Sequence, residues 1–531
     1  MANSLFHTKE CLVDVFDYLK YDIPTLYSCA LVNRTWCRLV IPLLWSNPLD
    51  YFEFDSLLYP DKSSLFLRTC IKCLDKEDKK LLFDQGIEDP WIMDCLNTDE
   101  KKEFFTSVLG NLFFEKTKGI KKLSIYEDNL NSSSLFIDVT KFRNSEIALE
   151  RLEIFKIYHD GYSIEQKDQG AGIKNMFLNL LKFSNELKHI DIDIDYQSIH
   201  PELPGCIIDF IVKQQSKLIT LSTNQFWRSN VITVLFYEGL LKISKTLKHI
   251  KISKFTKVQD FVTVLKYFEN LQTLEFLTSV ELRDDFISLP DKLNINNGNI
   301  VSIIELPKIK NLYYDMSHVS DILPQIIKIA NFNLESLHLS RSLYGSGDST
   351  QLFDTISNYC KNIKRLSIRI ALTEIDKLVN VLMELKHMEV FNIEIKQHDN
   401  TINNNDPDDY IIKSLSNCLN DYNHKLVSIG INFYLSVHKL KCFFDNCHKL
   451  DLKIISLYDK NSINSDNLKL LLNYKKNEIF TNLKEIRFQE KYYKGTIKFY
   501  NPIFFDAKRL NIKLEGCKEF RHPIYGKLLN H

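Results

Sequence analysis

The sequence predicts an α/β fold in which a short three-helix module precedes a long solenoid of parallel strands with helices outside. Three observations predict it. Apolar residues between Leu12 and Trp45 fall at helical spacing, broken at Asp22-Ile23-Pro24-Thr25. From about residue 119 onward, a unit of the form L-x-x-L-x-I recurs at steps of roughly 24 to 38 residues. At 531 residues the chain is also too long for one ordinary core, so it either splits into domains or grows as an array.

Composition narrows the function classes. The apolar share is 44%, enough for a large core, and 68 basic side chains balance 68 acidic ones. A net charge of zero gives no global pull toward nucleic acid or an anionic membrane. Twelve cysteines at irregular intervals read as reduced, mostly buried thiols. No signal-peptide stretch opens the sequence, and nowhere do about 18 apolar residues run together. The expectation is a soluble protein of the cytoplasm, the nucleus or both. Glycine is scarce, at 15 residues, and neither phosphate-cradling glycine motif is present. Gly345-Ser346-Gly347-Asp348-Ser349 reads as a surface turn. No cofactor and no metal are expected.

Leu12, Val15, Phe16 and Leu19 form one stripe of a first amphipathic helix. Pro24 suits the first turn of a second, whose apolar face continues through Leu26, Cys29, Ala30 and Val32. Trp36, Leu39 and Val40 make a third, closed by Pro42 and Trp45. A unit of about 40 residues is small enough to lean on a neighbour.

The order E-C-L-x-x-V-F-x-Y-L (Glu10–Leu19), followed by L-x-x-C-x-L-V-N-R-x-W-C-R-L-V-I-P-x-L-W (Leu26–Trp45), resembles an F-box. It is similar in particular to the F-box proteins expanded in some fungi. The likeness covers residues 7–48; His7-Thr8 stand where such modules usually carry Leu-Pro. The resemblance implies docking onto the adaptor subunit of SCF-type ubiquitin ligases, and through it onto a cullin. Leu12, Val15, Phe16, Leu19, Leu26, Leu31, Val32, Trp36, Leu39 and Trp45 are the candidate adaptor contacts, each of which could instead belong to the module's own core. That gives an F-box over 1–48, a helical linker over 49–118 and the solenoid over 119–531.

In the linker, Leu65–Leu82 reads as one or two helices, with the charged run Asp75–Lys80 as a solvated turn. Cys70-Ile71-Lys72-Cys73 is a lone C-x-x-C, and two half-buried cysteines fit it better than a metal or redox pair.

The repeat pattern is weak taken alone, since roughly 20 chance occurrences are expected in a chain this apolar. Period decides. Copies stand at Ile120-Leu123-Ile125, Leu149-Leu152-Ile154, Leu187-Ile190-Ile192 and Leu247-Ile250-Ile252. They continue at Leu271-Leu274-Phe276, Ile309-Leu312-Tyr314, Leu334-Leu337-Leu339 and Ile363-Leu366-Ile368. The last are Met388-Phe391-Ile393, Leu426-Ile429-Ile431 and Leu483-Ile486-Phe488, with weaker copies at Leu218-Leu221 and near Leu450–Ile455. Helix-like segments such as Phe353–Tyr359, Ile375–Leu385 and Ile411–Leu419 lie between them. The alternation resembles a degenerate leucine-rich-repeat-like α/β solenoid, with parallel strands on the concave face and helices outside. Gln397–Asp409 and Asp160–Gly172 read as flexible insertions.

In such a solenoid the residue between the last two apolar positions faces the concave surface. Glu153, Asp191, Lys251, Glu275, Tyr313, His338 and Arg487 are therefore the candidate partner contacts. Mixed charge with aromatics suits a protein better than a polyphosphate. Other clusters carry less: Lys188-His189, Lys248-His249 and Lys386-His387 are too far apart to share a metal, and Cys442, Cys447 and His448 lack a fourth ligand. Asp191, Asp193 and Asp195 make an acidic strand face. No nucleophile–base signature stands out, so the chain reads as a non-enzyme. The expected function is substrate recognition for an SCF-type ligase, with a target protein held by the solenoid. The alternative is an F-box/repeat scaffold outside a ligase.

Overall fold

The computed structural model describes residues 9–19, 22–46 and 76–84, isolated positions between 104 and 120, and most of 119–517. The stretches 128–137, 160–166, 195–201, 225–229, 254–263, 278–307, 316–321, 341–348, 397–406, 422–424, 459–464, 490–506 and a few single positions are outside the description, as are the flanks. The Cys70/Cys73 pair, the glycine-rich turn at 345–349 (save Ser349) and Asp195 lie there. The chain divides into two compact units, Met1–Leu247 and Lys248–His531.

The first unit opens with α1 (Lys9–Tyr18), α2 (Ile23–Ala30) and α3 (Arg34–Ser46). Asp22 caps α2: its carboxylate accepts from the Thr25 amide at 3.2 Å, and a proline sits in the first turn. Asn33 caps α3 by accepting from the Trp36 amide at 2.9 Å. A fourth helix, α4 (Lys76–Asp84), occupies the charged run expected to be a turn. Its Leu82 and Asp78 are buried, Asp78 against Arg143 at 3.8 Å, and the lysines and Glu77 stand on the exposed sides, so the run is helical.

Next come β1 (Lys122–Glu127), α5 (Ser145–Leu149), β2 (Ile154–His159), α6 (Lys167–Phe183), β3 (His189–Ile194), α7 (Leu203–Lys213), β4 (Thr220–Asn224) and α8 (Asn230–Ile243). The strands pair in parallel and in chain order, β1 with β2, β2 with β3, β3 with β4. Alternate residues face the helices: Phe155 of β2 meets Phe177 of α6 and Phe210 of α7, ring centroids 5.4–5.8 Å apart, and none of the three is exposed. Helix α6 begins at Lys167, inside the stretch expected to be a flexible insertion. Ile173, Met176, Phe177 and Leu180 give it a buried stripe that outweighs Gly170 and Gly172.

The second unit holds β5 (His249–Ser253), β6 (Thr273–Leu277), β7 (Asn311–Asp315), α9 (Ile322–Ala330), β8 (Ser336–Leu339), α10 (Thr350–Tyr359) and β9 (Arg365–Ala371). It continues with α11 (Ile375–Glu384), β10 (Val390–Lys396), α12 (Pro407–Asp421), β11 (Ser428–Asn432) and α13 (Val437–Asn446). It closes with β12 (Ile454–Leu457), α14 (Ser465–Lys476), β13 (Glu485–Gln489) and β14 (Lys513–Cys517). Each strand again pairs in parallel with the next, from β5 through β14. The helices pack in chain order too, α9 on α10 and onward to α14. This is the stacked strand–helix architecture of a leucine-rich-repeat-like array.

One backbone device repeats just ahead of most strands. The Lys121 carbonyl accepts from both Glu153 and Ile154, each at 2.9 Å, and the Glu153 carbonyl accepts from Lys188 and His189. The same forked bond runs from Lys310 to Glu335 and Ser336, and from Lys453 to Lys484 and Glu485. It fixes the register of the rungs that carry it, because a slip by one residue would turn each apolar side chain outward.

Register corrects two readings of the sequence. Leu123 of β1 pairs with Phe155, so the second copy is Leu152-Phe155-Ile157, not Leu149-Leu152-Ile154. Leu149 ends α5, three residues too early, and mimics the first apolar position. A last copy, β14, escapes the pattern because Asn511 and Gly516 stand at apolar positions.

Candidate functional site

Two surfaces could engage a partner, and they differ in chemistry. The first is the three-helix module. Leu12, Phe16, Leu26 and Val40 form its buried core, with Leu19, Cys29, Ala30, Trp36, Leu39 and Leu43 packed against it. Trp36 meets Phe16 edge to face, centroids 5.1 Å apart. Of the expected adaptor contacts, Leu12, Phe16 and Leu26 are thus interior, and Leu19, Trp36 and Leu39 are half-buried against them. Val15 (47% exposed), Leu31 (72%) and Val32 (58%) remain on the surface. Trp45 lies in α3.

Periodicity had overlooked three further exposed residues: Val13, Tyr18 (88% exposed) and Tyr27 (57%). Tyr27 and Leu31 are four apart at the end of α2, hence on one side of it, and Val32 follows in the turn. Val15 and Tyr18, three apart, share a side of α1. The signal was present as apolar residues off the core stripe. The arrangement offers ready-made apolar anchors, beside a core that does not depend on them.

The second surface is the strand face turned away from the helices. Midway along the strands, the first unit aligns Ser124, Lys156, Asp191 and Ser222. In the second unit, Lys251, Glu275, Tyr313 and His338 align in the same way. The row continues through Ser367, Asn392, Gly430, Ser456, Arg487 and Glu515. All the expected partner contacts except Glu153 stand on this row. Glu153 precedes β2, where it pairs with Lys188 at 2.8 Å and Lys121 at 3.9 Å; Lys156 holds the place expected for it. The Lys188 ammonium holds the Glu153 carboxyl below its ordinary range.

Exposure varies along the row. Asp191, Lys251, Glu275 and Arg487 are half-buried, as are Lys156 and Tyr158; the Tyr158 hydroxyl donates to Asp191. Burial and the charge of Lys188 lower the pKa of neighbouring His189. Asp193 stands two residues from Asp191, across from Tyr158. Tyr313 and His338, by contrast, are 2% and 6% exposed, their rings 5.8 Å apart. Burial pushes the Tyr313 hydroxyl up to about 12. Ser367, Asn392, Gly430 and Ser456 are buried with them.

This stretch bonds to itself across the strands. Asn392 Nδ2 donates to Ser367 Oγ at 2.9 Å, and Asn311 Nδ2 to Thr273 Oγ1 at 3.2 Å. Arg369 pairs with Glu394 at 2.8 Å. Gly430 permits the closure: a Cβ there would overlap the Asn392 amide oxygen and stand 3.0 Å from the Tyr458 ring.

No group of three or more His, Cys, Asp or Glu side chains that could hold a metal ion occurs among the described residues. Cys442 lies 3.8 Å from His438 on α13, while Cys447 is buried. No described helix is long and apolar enough to cross a membrane.

A three-helix module followed by a repeat array with a polar strand face supports an adaptor for protein interaction. Its first part is F-box-like: residues 9–50 match the family profile of that description. No curated protein sequence matches the chain. Among solved structures, the leucine-rich repeat-containing protein LegL7 from Legionella pneumophila is similar over 66% of this chain and 95% of its own, at 13% identity and a TM-score of 0.35.

Proposed function

We propose that the chain is a substrate-recognition subunit of an SCF-type ubiquitin ligase. The observation that carries this reading is the pairing of a closed F-box-like core with exposed Tyr27, Leu31 and Val32. Burying such anchors against helices of the adaptor subunit would recover apolar area that the small module leaves in water. The adaptor would connect the chain to a cullin, and the repeats would hold a target protein near the transferred ubiquitin. The mechanism is proximity, with chemistry in other subunits. The working compartment under this reading is the cytoplasm, the nucleus or both.

His7-Thr8 in place of Leu-Pro favours a second reading, an F-box/repeat scaffold outside a ligase. One experiment separates them. The purified chain is titrated with an F-box adaptor subunit by calorimetry, beside Leu31→Asp. The first reading expects one-to-one binding, weakened by Leu31→Asp by about 2 kcal/mol or more with helix content unchanged. No binding by the folded chain overturns it in favour of the scaffold.

A further inference from the structure

The rung position just ahead of the strands is charged in a pattern over two runs, with neutral Ile219, Gln272 and Val427 at other rungs. In the first unit it reads Lys121, Glu153, Lys188, with Glu153 between two lysines. In the second, Lys310, Glu335 and Lys364 repeat the arrangement at 3.0 and 2.9 Å, and Glu389 follows. Alternating sign suits adjacent rungs about 4.8 Å apart, since like charges directly opposite destabilise a ladder.

The alternation fails near the C-terminal end. Lys453 and Lys484 occupy neighbouring rungs, joined by the backbone bond from the Lys484 amide to the Lys453 carbonyl at 2.9 Å. Exposed Lys425 and Lys449 precede the rungs of β11 and β12. None of these four ammonium groups makes an ion pair among the described residues. Asp451, the carboxylate nearest in sequence to Lys449 and Lys453, is taken by Asn482 Nδ2 at 2.7 Å, and Glu485, beside Lys484, pairs with Arg487 at 3.0 Å and Lys513 at 3.9 Å. Helix dipoles do not explain the difference, because rungs of both kinds follow the ends of helices.

We propose that Lys425, Lys449, Lys453 and Lys484 form a docking site for an acidic polypeptide segment. The proposal rests on the reading of the repeats as a capture surface, but not on adaptor docking. Asp451, between Lys449 and Lys453, would repel a continuous phosphate backbone, whereas separated carboxylates can pass it. That favours a protein over a nucleic acid.

The test is fluorescence anisotropy of the full chain with a labelled dodecapeptide of alternating glutamate and serine, at low and physiological salt. Binding should weaken with salt. Lys453→Glu/Lys484→Glu should lower affinity about tenfold, and Lys121→Glu/Lys188→Glu, an equal change in net charge, by less than about twofold. Thermal melting checks both variants, and Lys453→Ala/Lys484→Ala replaces the first if it fails to fold, with about threefold expected. Equal weakening by both variants, no binding, or tighter binding of an oligonucleotide of the same charge overturns the proposal. Adaptor titration of the same variant should be unchanged, so loss of adaptor binding speaks against the ligase reading alone.

Discussion

The three-helix module and the repeat array solve the burial problem in opposite ways. The module closes a core around Phe16 and leaves Tyr18, Tyr27 and Leu31 in water. The array buries nearly every rung apolar residue, from Leu152 to Ile486, and lines its other strand face with polar side chains, half-buried around Asp191, Lys251, Glu275 and Arg487 and closed over around Tyr313 and Asn392. A small unit with apolar anchors outside suits one fixed partner of matching shape. An array whose outer face is polar and variable suits a partner chosen by charge and hydrogen bonding. Under the proposed function, docking falls to one region and selection to the other.

The largest effect expected from breaking this contrast lies inside the array. Phe155→Ala empties the junction with Phe177 and Phe210 and should cost about 3–5 kcal/mol of stability in denaturant melts. If packing is as local as the nearest-neighbour pairing implies, adaptor affinity should survive conditions in which the variant stays folded.

A smaller effect belongs to the closed part of the strand face. Gly430→Ala drives a methyl into the Asn392 amide and toward Tyr458, and should cost about 1–3 kcal/mol. Asn392→Ala in the same chain should relieve most of it; additive losses would mean that the Asn392 contact is not what makes glycine necessary.

The smallest concerns the rungs. Glu335→Gln should cost about 0.2–1 kcal/mol, since its lysine partners are exposed. Lys364 and Lys310 lower the Glu335 pKa, so its contribution is present above the ordinary glutamate range and lost as pH falls through the lowered value. Wild type and variant should therefore converge in stability in acid; a gap that persists there would assign the effect to packing.

Much of the array was legible because apolar period survives degeneracy: β5 to β11 and β13 fall where their triplets stand. The errors have local causes. Leu149 sits three residues before Leu152, so helix end and strand start spell the same triplet. Asn511 and Gly516 hide β14. The module's helices were legible from one stripe, but that stripe marks the core, and exposure of Tyr18 or Tyr27 follows only once the helices are packed. Closure of the face around Tyr313 and Asn392 depends on side chains from successive rungs, which no single repeat reveals.

Strand order has one mechanical consequence. Within each unit every strand is held by its neighbours in the chain, so tension applied at the C-terminal end would not shear a whole sheet at once. It would strip β14 from β13, then β13 from β12, each step opening one short row of backbone bonds. A motor pulling from that end would meet a series of low barriers, with the charge-matched rungs of Lys310, Glu335 and Lys364 reached only after the lysine-rich ones had come away.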